Sequence, residues 1–544
     1  MPPPTIAVSL AFRLESDPHT RICFLAPEQG AELVAPCHTL GESCNEVPRA
    51  RPDSSCERRG DKYAYSVNIN NYSLFAQDTW RMTDHLTLTY GLRWEINASP
   101  ESAMSGQPLY AVQGIFDSNP IALVPGALWH TRFGNFAPRV GAAYQLTPKT
   151  VVRGGFGLFY DLGYGNATGD GSGIYPYFRN NFDFLDPPGV PFDLANPAFQ
   201  PIPFSTAISS VSGGLTAIDP NLQVPLTMQW NAAIERELGA NQRLTVTYVG
   251  ADSRRLLRED NIIPPSFVEN GNQQTVYATW NGGYSHYEAL QVQFQRRMSH
   301  GLQALVSYTL AKSRDLGSSD GTGFGAASVS QIVLPPLTPS DFDIRNSIAG
   351  AVSYEVPPPA WGRTGNAILK GWAVDGLVRA SSAPPINVTV YNQTGFISYY
   401  LTLANIVPGQ PYWIADPTQP AGRALNPAAF SLPPAGVQGN YPRNSLRSPY
   451  YVDQTDLALR RRFNLTERVK LDVRAEYFNV FNHPMFGAPG ATEPDSGVGL
   501  AGFGKVSAET TNLALGGGGA GGGQSALYAL GGPRSAQFTV KLIF

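Results

Sequence analysis

At 544 residues, with 15% charged side chains and a formal net charge of -3, the chain offers no basic field for nucleic acid. It has no run of 18 or more apolar residues. That excludes a helical membrane span but not a β-barrel, whose strands bury only every second side chain. The 55 Gly, 46 Pro and 11% aromatics enrich turns and rings, as an all-β chain requires.

The segment from Met1 to Arg13 lacks a basic start and a small-residue cleavage site, so the chain is expected to begin inside a longer precursor. All four cysteines, Cys23, Cys37, Cys44 and Cys56, fall in the first 60 residues. Disulfides suit an oxidising compartment, and Cys37 beside His38 is the nearest approach to a metal site. There is no C-x-x-C pair, however. Residues 1–60 are therefore expected to be an irregular leader, and residues 61–544 a barrel domain.

From about residue 72, segments with period-two alternation follow one another. Leu86, Leu88, Tyr90, Leu92 and Trp94 oppose Thr87, Thr89, Gly91, Arg93 and Glu95. Hairpins are predicted at 72–80 with 86–95, 137–146 with 150–161, 225–237 with 242–250, and 287–298 with 301–312. Two more pair 344–356 with 372–391 and 451–464 with 468–481, and a lone strand covers 534–544. Turns within most pairs are short. Connections between pairs, such as 96–136, 162–224, 251–286 and 392–450, are long. Every second connection is therefore a long loop, the asymmetry of an outer-membrane barrel with short periplasmic turns and long extracellular loops.

The segment from Arg468 to Tyr477 separates most completely. Arg468, Lys470, Asp472, Arg474 and Glu476 are expected to face the lumen, and Val469, Leu471, Val473, Ala475 and Tyr477 the lipid. In the last strand, Phe538, Val540, Leu542 and Phe544 form an apolar row ending in an aromatic.

Catalytic patterns fail on context. Gly317-Ser-Ser-Asp-Gly321 matches a nucleophile elbow in letters but lies in a Gly/Ser loop without the required strand and helix. Asp472 and Glu476 have cationic neighbours two positions away, which describes an ion-paired wall better than a tuned acid and base. His300 and His483 read as turn residues. Gly516 to Gly523 reads as a loop rather than a phosphate cradle. The aromatic stretch Tyr175 to Phe184 either packs within its loop or stacks on sugar rings. No enzyme, cofactor or metal site is expected.

Asn71-Tyr-Ser-Leu-Phe-Ala-Gln-Asp-Thr-Trp-Arg81 with Leu86-Thr-Leu-Thr-Tyr-Gly-Leu-Arg-Trp-Glu95 resembles the first recognisable hairpin of TonB-dependent outer-membrane transporters. Phe136 to Gly141 with Val152 to Gly157, Leu290 to Ser313, and Arg443-Asn-Ser-Leu-Arg447 with Arg474 to Pro484 resemble the Oar-like branch of that family. The terminal Gln537 to Phe544 resembles a barrel assembly signal. The resemblance implies an antiparallel transmembrane β-barrel whose 13–14 recognisable strands are the C-terminal part of a barrel of about 22. It implies an outer-membrane location, with lipid and the barrel assembly machinery as partners. TonB is implied only where missing sequence supplies a plug. The implied function is uptake of a bulky extracellular solute such as a carbohydrate or peptide, with a truncated chain inactive alone. The alternative is a binding or adhesion module that uses its loops without transport. A propeller enzyme fits poorly, because the hairpin units vary in length.

Overall fold

The computed structural model describes residues 67–161, 215–262, 276–318, 336–357, 370–394, 398–434, 439–483, 502–506 and 534–543, save single positions within them, and a few isolated residues between. The cysteine-bearing leader, Tyr175 to Phe184, Gly516 to Gly523 and Phe544 lie outside the described residues.

Thirteen strands form one continuous antiparallel sheet in chain order. They are β1 Asn71–Arg81, β2 Leu86–Asn97, β3 Arg132–Thr147, β4 Thr150–Tyr160, β5 Leu226–Gly239, β6 Gln242–Ile262 and β7 Val276–Ser299. The series continues with β8 Leu302–Asp315, β9 Asn346–Glu355, β10 Trp372–Ser381, β11 Val452–Asn464, β12 Lys470–Phe478 and β13 Ser535–Ile543. The hairpin between β7 and β8 turns on His300 and Gly301, with φ of 52° and 78°. Positive φ at both central residues gives the turn a twist that matches the strands it joins.

Register assigns every side chain to a face, because directly paired residues share one and neighbours alternate. One face carries Leu542, Leu471 and Phe463 in a row, then Val540, Val473 and Arg461. Further along it carry Tyr354 with Val374, Val352 with Gly376, and Leu244 with Phe294. At the other edge Trp80 pairs with Leu88 and Leu74 with Trp94. These side chains are exposed: Phe538 at 69%, Val540 at 58% and Val140 at 53%. A face this wide, apolar and uncovered is stable only against lipid. Asp78 is an exception within the band, and the Tyr90 hydroxyl donates to it at 2.9 Å.

The three buried apolar clusters lie at the opposite end from the short turns. Val112, Ile115, Leu215, Ala217 and Val276 form one, and Leu109, Leu128, Trp129, Ile218 and Leu257 a second. The third packs Ile386, Val388, Leu425, Phe430, Tyr441 and Phe503. The long connections thus carry β-structure of their own. Leu215–Ile218 pairs in parallel with β7, and Trp413–Ala415 pairs with Arg423–Leu425.

Several expected boundaries shift. The 251–286 loop shrinks to 263–275, because β6 and β7 continue past the apolar band to Ile262 and Val276. Once a strand leaves the hydrocarbon neither face need be apolar, so the alternation disappears while the ladder persists. Val67–Asn68 does not join this sheet but pairs with Glu101–Ser102 of a loop. Arg468 is not in a strand: the Thr466 hydroxyl accepts from the Arg468 and Val469 amides at 3.3 and 3.0 Å, extending the turn. β1 and β13 are the sheet's two edges, and thirteen alternating strands make them run in the same direction.

This topology predicts one-sided access to the two ends. With the four native cysteines replaced by serine, a membrane-impermeant maleimide on intact cells should label Gln410→Cys in a long loop. It should not label His300→Cys in the short turn. Equal labelling of both would remove the assignment of ends.

Candidate functional site

The second face of the sheet is polar, and its charges are concentrated on β9 to β12. Ser353, Asp375, Ala458 and Glu476 share one row across the four strands, and Glu355, Ala373, Arg460 and Arg474 the next. Arg460 reaches back across the sheet to Asp375 at 3.1 Å and Glu355 at 3.2 Å. The Ser353 hydroxyl donates to the other oxygen of Asp375 at 2.6 Å. Arg474 pairs with Glu476 at 3.0 Å and approaches Asp375 at 4.0 Å. Asp472 accepts from Nε and Nη2 of Arg462 at 3.1 and 2.8 Å. Most of these groups are part-exposed, so the network shapes and wets the wall more than it stabilises the fold.

Two recesses lie along this wall. One of about 470 Å³ is bordered by Gln303, Ser353, Asp375, Asp456 and Arg474. The other, about 560 Å³ and nearer the turns, is bordered by Glu355, Lys370, Arg460, Arg462 and Asn464. A second ion-paired patch sits on β4 to β7, where Arg243 donates to Glu235 at 2.9 Å and to Gln295 at 2.7 Å. Arg153 adds a contact to Glu235 at 3.7 Å. Between the patches the wall is neutral and small, with Thr245, Gln293, Ser307 and Ala349 in one row.

At the loop end the wall meets a buried polar clamp. Arg443, from the long connection between β10 and β11, pairs with Asp315 at the end of β8 at 2.7 Å and with Asp341 at 3.1 Å. Its Nη1 also donates to Thr338 at 3.2 Å. Asn444, at φ 58°, donates to the Pro339 carbonyl at 2.9 Å. Arg447 pairs with Asp343 and donates to the Ala383 carbonyl at 3.0 Å. Ser318 donates to Asp315 at 2.7 Å, so its hydroxyl serves the clamp, while Ser319, the nucleophile position of the Gly317–Gly321 match, lies outside the described residues. Burial pushes the Asp315 carboxyl up, more than Ser318 and Arg443 pull it down. The clamp fixes the segment that carries the third apolar cluster to the rim of the sheet.

Of the charged row expected from sequence, Lys470, Asp472, Arg474 and Glu476 share the polar face with Lys541 and Thr539 of β13. Arg468 stands apart in its turn. Sequence reasoning missed Asp375, Arg460 and Arg462, the partners that make the row a network. The signal for Asp375 was the one carboxylate of β10, set between Val374 and Gly376. In the run Arg460-Arg461-Arg462, period two sends the middle residue to the other face. Phe538, Val540 and Leu542 lie together on the apolar face.

A two-faced antiparallel sheet with an apolar belt, a charged wall and structured loops at one end defines an outer-membrane barrel protein. Residues 51–514 match the outer membrane beta barrel domain family, and the chain belongs to it. No curated protein sequence matches the chain. It is similar to the outer membrane transporter YddB from Escherichia coli at 12% identity and TM-score 0.43, covering 87% of this chain and 45% of that one. It is also similar to a mutant of the ferric enterobactin receptor PfeA from Pseudomonas aeruginosa at 12% identity and TM-score 0.41, covering 84% and 47%. For the ferric-catecholate import receptor Fiu from E. coli the values are 11%, 0.39, 88% and 45%. The chain thus spans about half the length of these structures. The protein is an outer-membrane protein.

Proposed function

We propose that the chain is the barrel part of a TonB-dependent transporter of the Oar-like branch, admitting a bulky extracellular solute. The observation that carries this is the polar face. A charged, cross-strand ion network on one side of a lipid-facing sheet is what the wall of a wide, water-filled passage requires. In this reading Lys470, Asp472, Arg474 and Glu476 line the lumen, with Asp375, Arg460 and Arg462 as their counter-charges. The three loop-end clusters hold the capture surface, and a plug from additional sequence would engage TonB. Phe538, Val540, Leu542 and Phe544 act as the signal read by the barrel assembly machinery. The chain works as a carrier and not as a catalyst.

The test is uptake in the native cell. A deletion strain, its complemented parent and a strain lacking TonB are offered mass-tagged oligosaccharides and peptides too large for general porins. Loss of one compound's uptake in both mutants, restored on complementation, supports the reading. Unchanged uptake of every compound in the deletion strain counts against it. Surface binding lost only in the deletion strain, without any TonB-dependent uptake, would favour an adhesion module. The loop-end clusters, which give the loops fixed shapes, make that the second reading.

A further inference from the structure

We infer that the lipid side of β5 to β8, just beyond the apolar band at the loop end, binds the phosphorylated sugar headgroup of an outer-leaflet glycolipid, with Lys312 and Arg314 on the phosphate. Register builds the patch in two rows. Trp230, Gly250, Glu288 and Lys312 pair in succession from β5 to β8, and Met228, Asp252, His286 and Arg314 form the next row toward the loops. The row beneath them is Ala232, Tyr248, Leu290 and Leu310, so the face that meets lipid turns polar within one step of the pleat. Lys312 and Arg314 stand two and four residues beyond Leu310, roughly 5 and 10 Å farther out on a tilted strand. That is headgroup depth, where a cation no longer carries the cost it has at mid-bilayer.

The patch is organised by its own contacts. Asp252 accepts from Nε of Arg254 at 2.9 Å and from the Tyr284 hydroxyl. His286 lies between the two carboxylates, with Nε2 2.7 Å from Glu288 and Nδ1 3.5 Å from Asp252. These groups hold the acids, whereas Lys312 and Arg314 form no ion pair with a described residue, and the buried Nε of Arg314 has no hydrogen-bond partner. Both side chains are part-exposed. Two cations that follow each other along one face of a strand, about 7 Å apart, fit a phosphate between them. The guanidinium fork takes two of its oxygens and the ammonium a third. Carboxylates beside the cations would weaken a bare phosphate site but serve a phosphorylated sugar. The Glu288 side chain is 44% exposed and keeps acceptor lone pairs for sugar hydroxyls. Trp230 packs against Gly250, where an added Cβ would come within 2.3 Å of the indole, and its ring centre is 6.4 Å from that of His286. An indole at headgroup level offers a sugar ring an apolar face.

The test uses the full-length protein in phosphatidylethanolamine nanodiscs doped with diphosphoryl lipid A, its dephosphorylated form or phosphatidylglycerol, read by native mass spectrometry of retained lipid. Diphosphoryl lipid A should be retained at least fivefold over the other two. The double variant Lys312→Gln/Arg314→Gln should erase that excess, Lys312→Arg should keep most of it, and Arg379→Gln on the polar face should leave it unchanged. Should the double variant fail to assemble, Lys312→Gln alone should still lower the excess at least twofold. An excess that survives in the assembled double variant, or in Lys312→Gln where only that variant assembles, overturns the inference. So does equal retention of phosphatidylglycerol, which would make any lipid phosphate sufficient, or of the dephosphorylated form, which would leave the cations no part.

Discussion

Replacing Val306 by arginine should remove the protein from the outer membrane, whereas the same replacement at Ser307 should leave it there. The two residues are neighbours in β8, but Val306 pairs with Phe294 and Gly350 on the apolar face, and Ser307 with Gln293 and Ala349 on the polar one. Val306 is central in the apolar row Leu302, Ala304, Val306, Tyr308 and Leu310, so its new charge would sit near mid-bilayer. An arginine there costs about 2–4 kcal/mol, falling to roughly 0–1 near the interfaces. That is a large share of a typical stability. Heat-modifiable protein in the outer-membrane fraction is the readout. Equal loss at both positions would mean that the faces are wrongly assigned.

The second large effect is expected at the clamp. Arg443→Ala leaves Asp315, whose side chain is 4% exposed, buried beside Asp341 without its cation. Breaking such a pair from one side costs about 3–5 kcal/mol. The damage should be local, because β8 and β9 keep their ladders while the 382–451 segment loses its anchor. Limited proteolysis of the assembled protein should therefore cut within 382–451 at least tenfold faster, with the strands intact. Arg443→Lys should fall between, since lysine cannot present the same fork to Asp315 and Asp341 at once. Parent-like cleavage of the alanine variant would show that the clamp holds nothing.

The sequence announces strands where the bilayer forces alternation and falls silent where it does not. β1 and β2 were legible nearly to the residue, because Leu86 to Trp94 must present a lipid face. The outer halves of β6 and β7 were not. The stretch 251–262 mixes charge and Leu on both faces, since water and loops replace lipid there. The polar row on β12 was legible from its own alternation, but its counter-charges Asp375 and Arg460 come from strands 85 residues apart. Such a pairing is a property of register, which no single strand encodes. The clamp was visible only as a motif, Arg443-Asn-Ser-Leu-Arg447, with nothing in the chain to say that it would meet Asp315 across 128 residues.

The central claim, that this sheet spans the outer membrane with one face in lipid and the other in water, is tested most directly along β8. Spin labels placed singly from Leu302 to Leu310 in a variant whose four native cysteines are serine report collisions with oxygen, which partitions into lipid, and with a water-soluble nickel chelate. Even-numbered positions should favour oxygen and odd-numbered ones nickel, with oxygen collisions greatest at Val306. A profile without period two, or nickel access at both 306 and 307, would contradict the account.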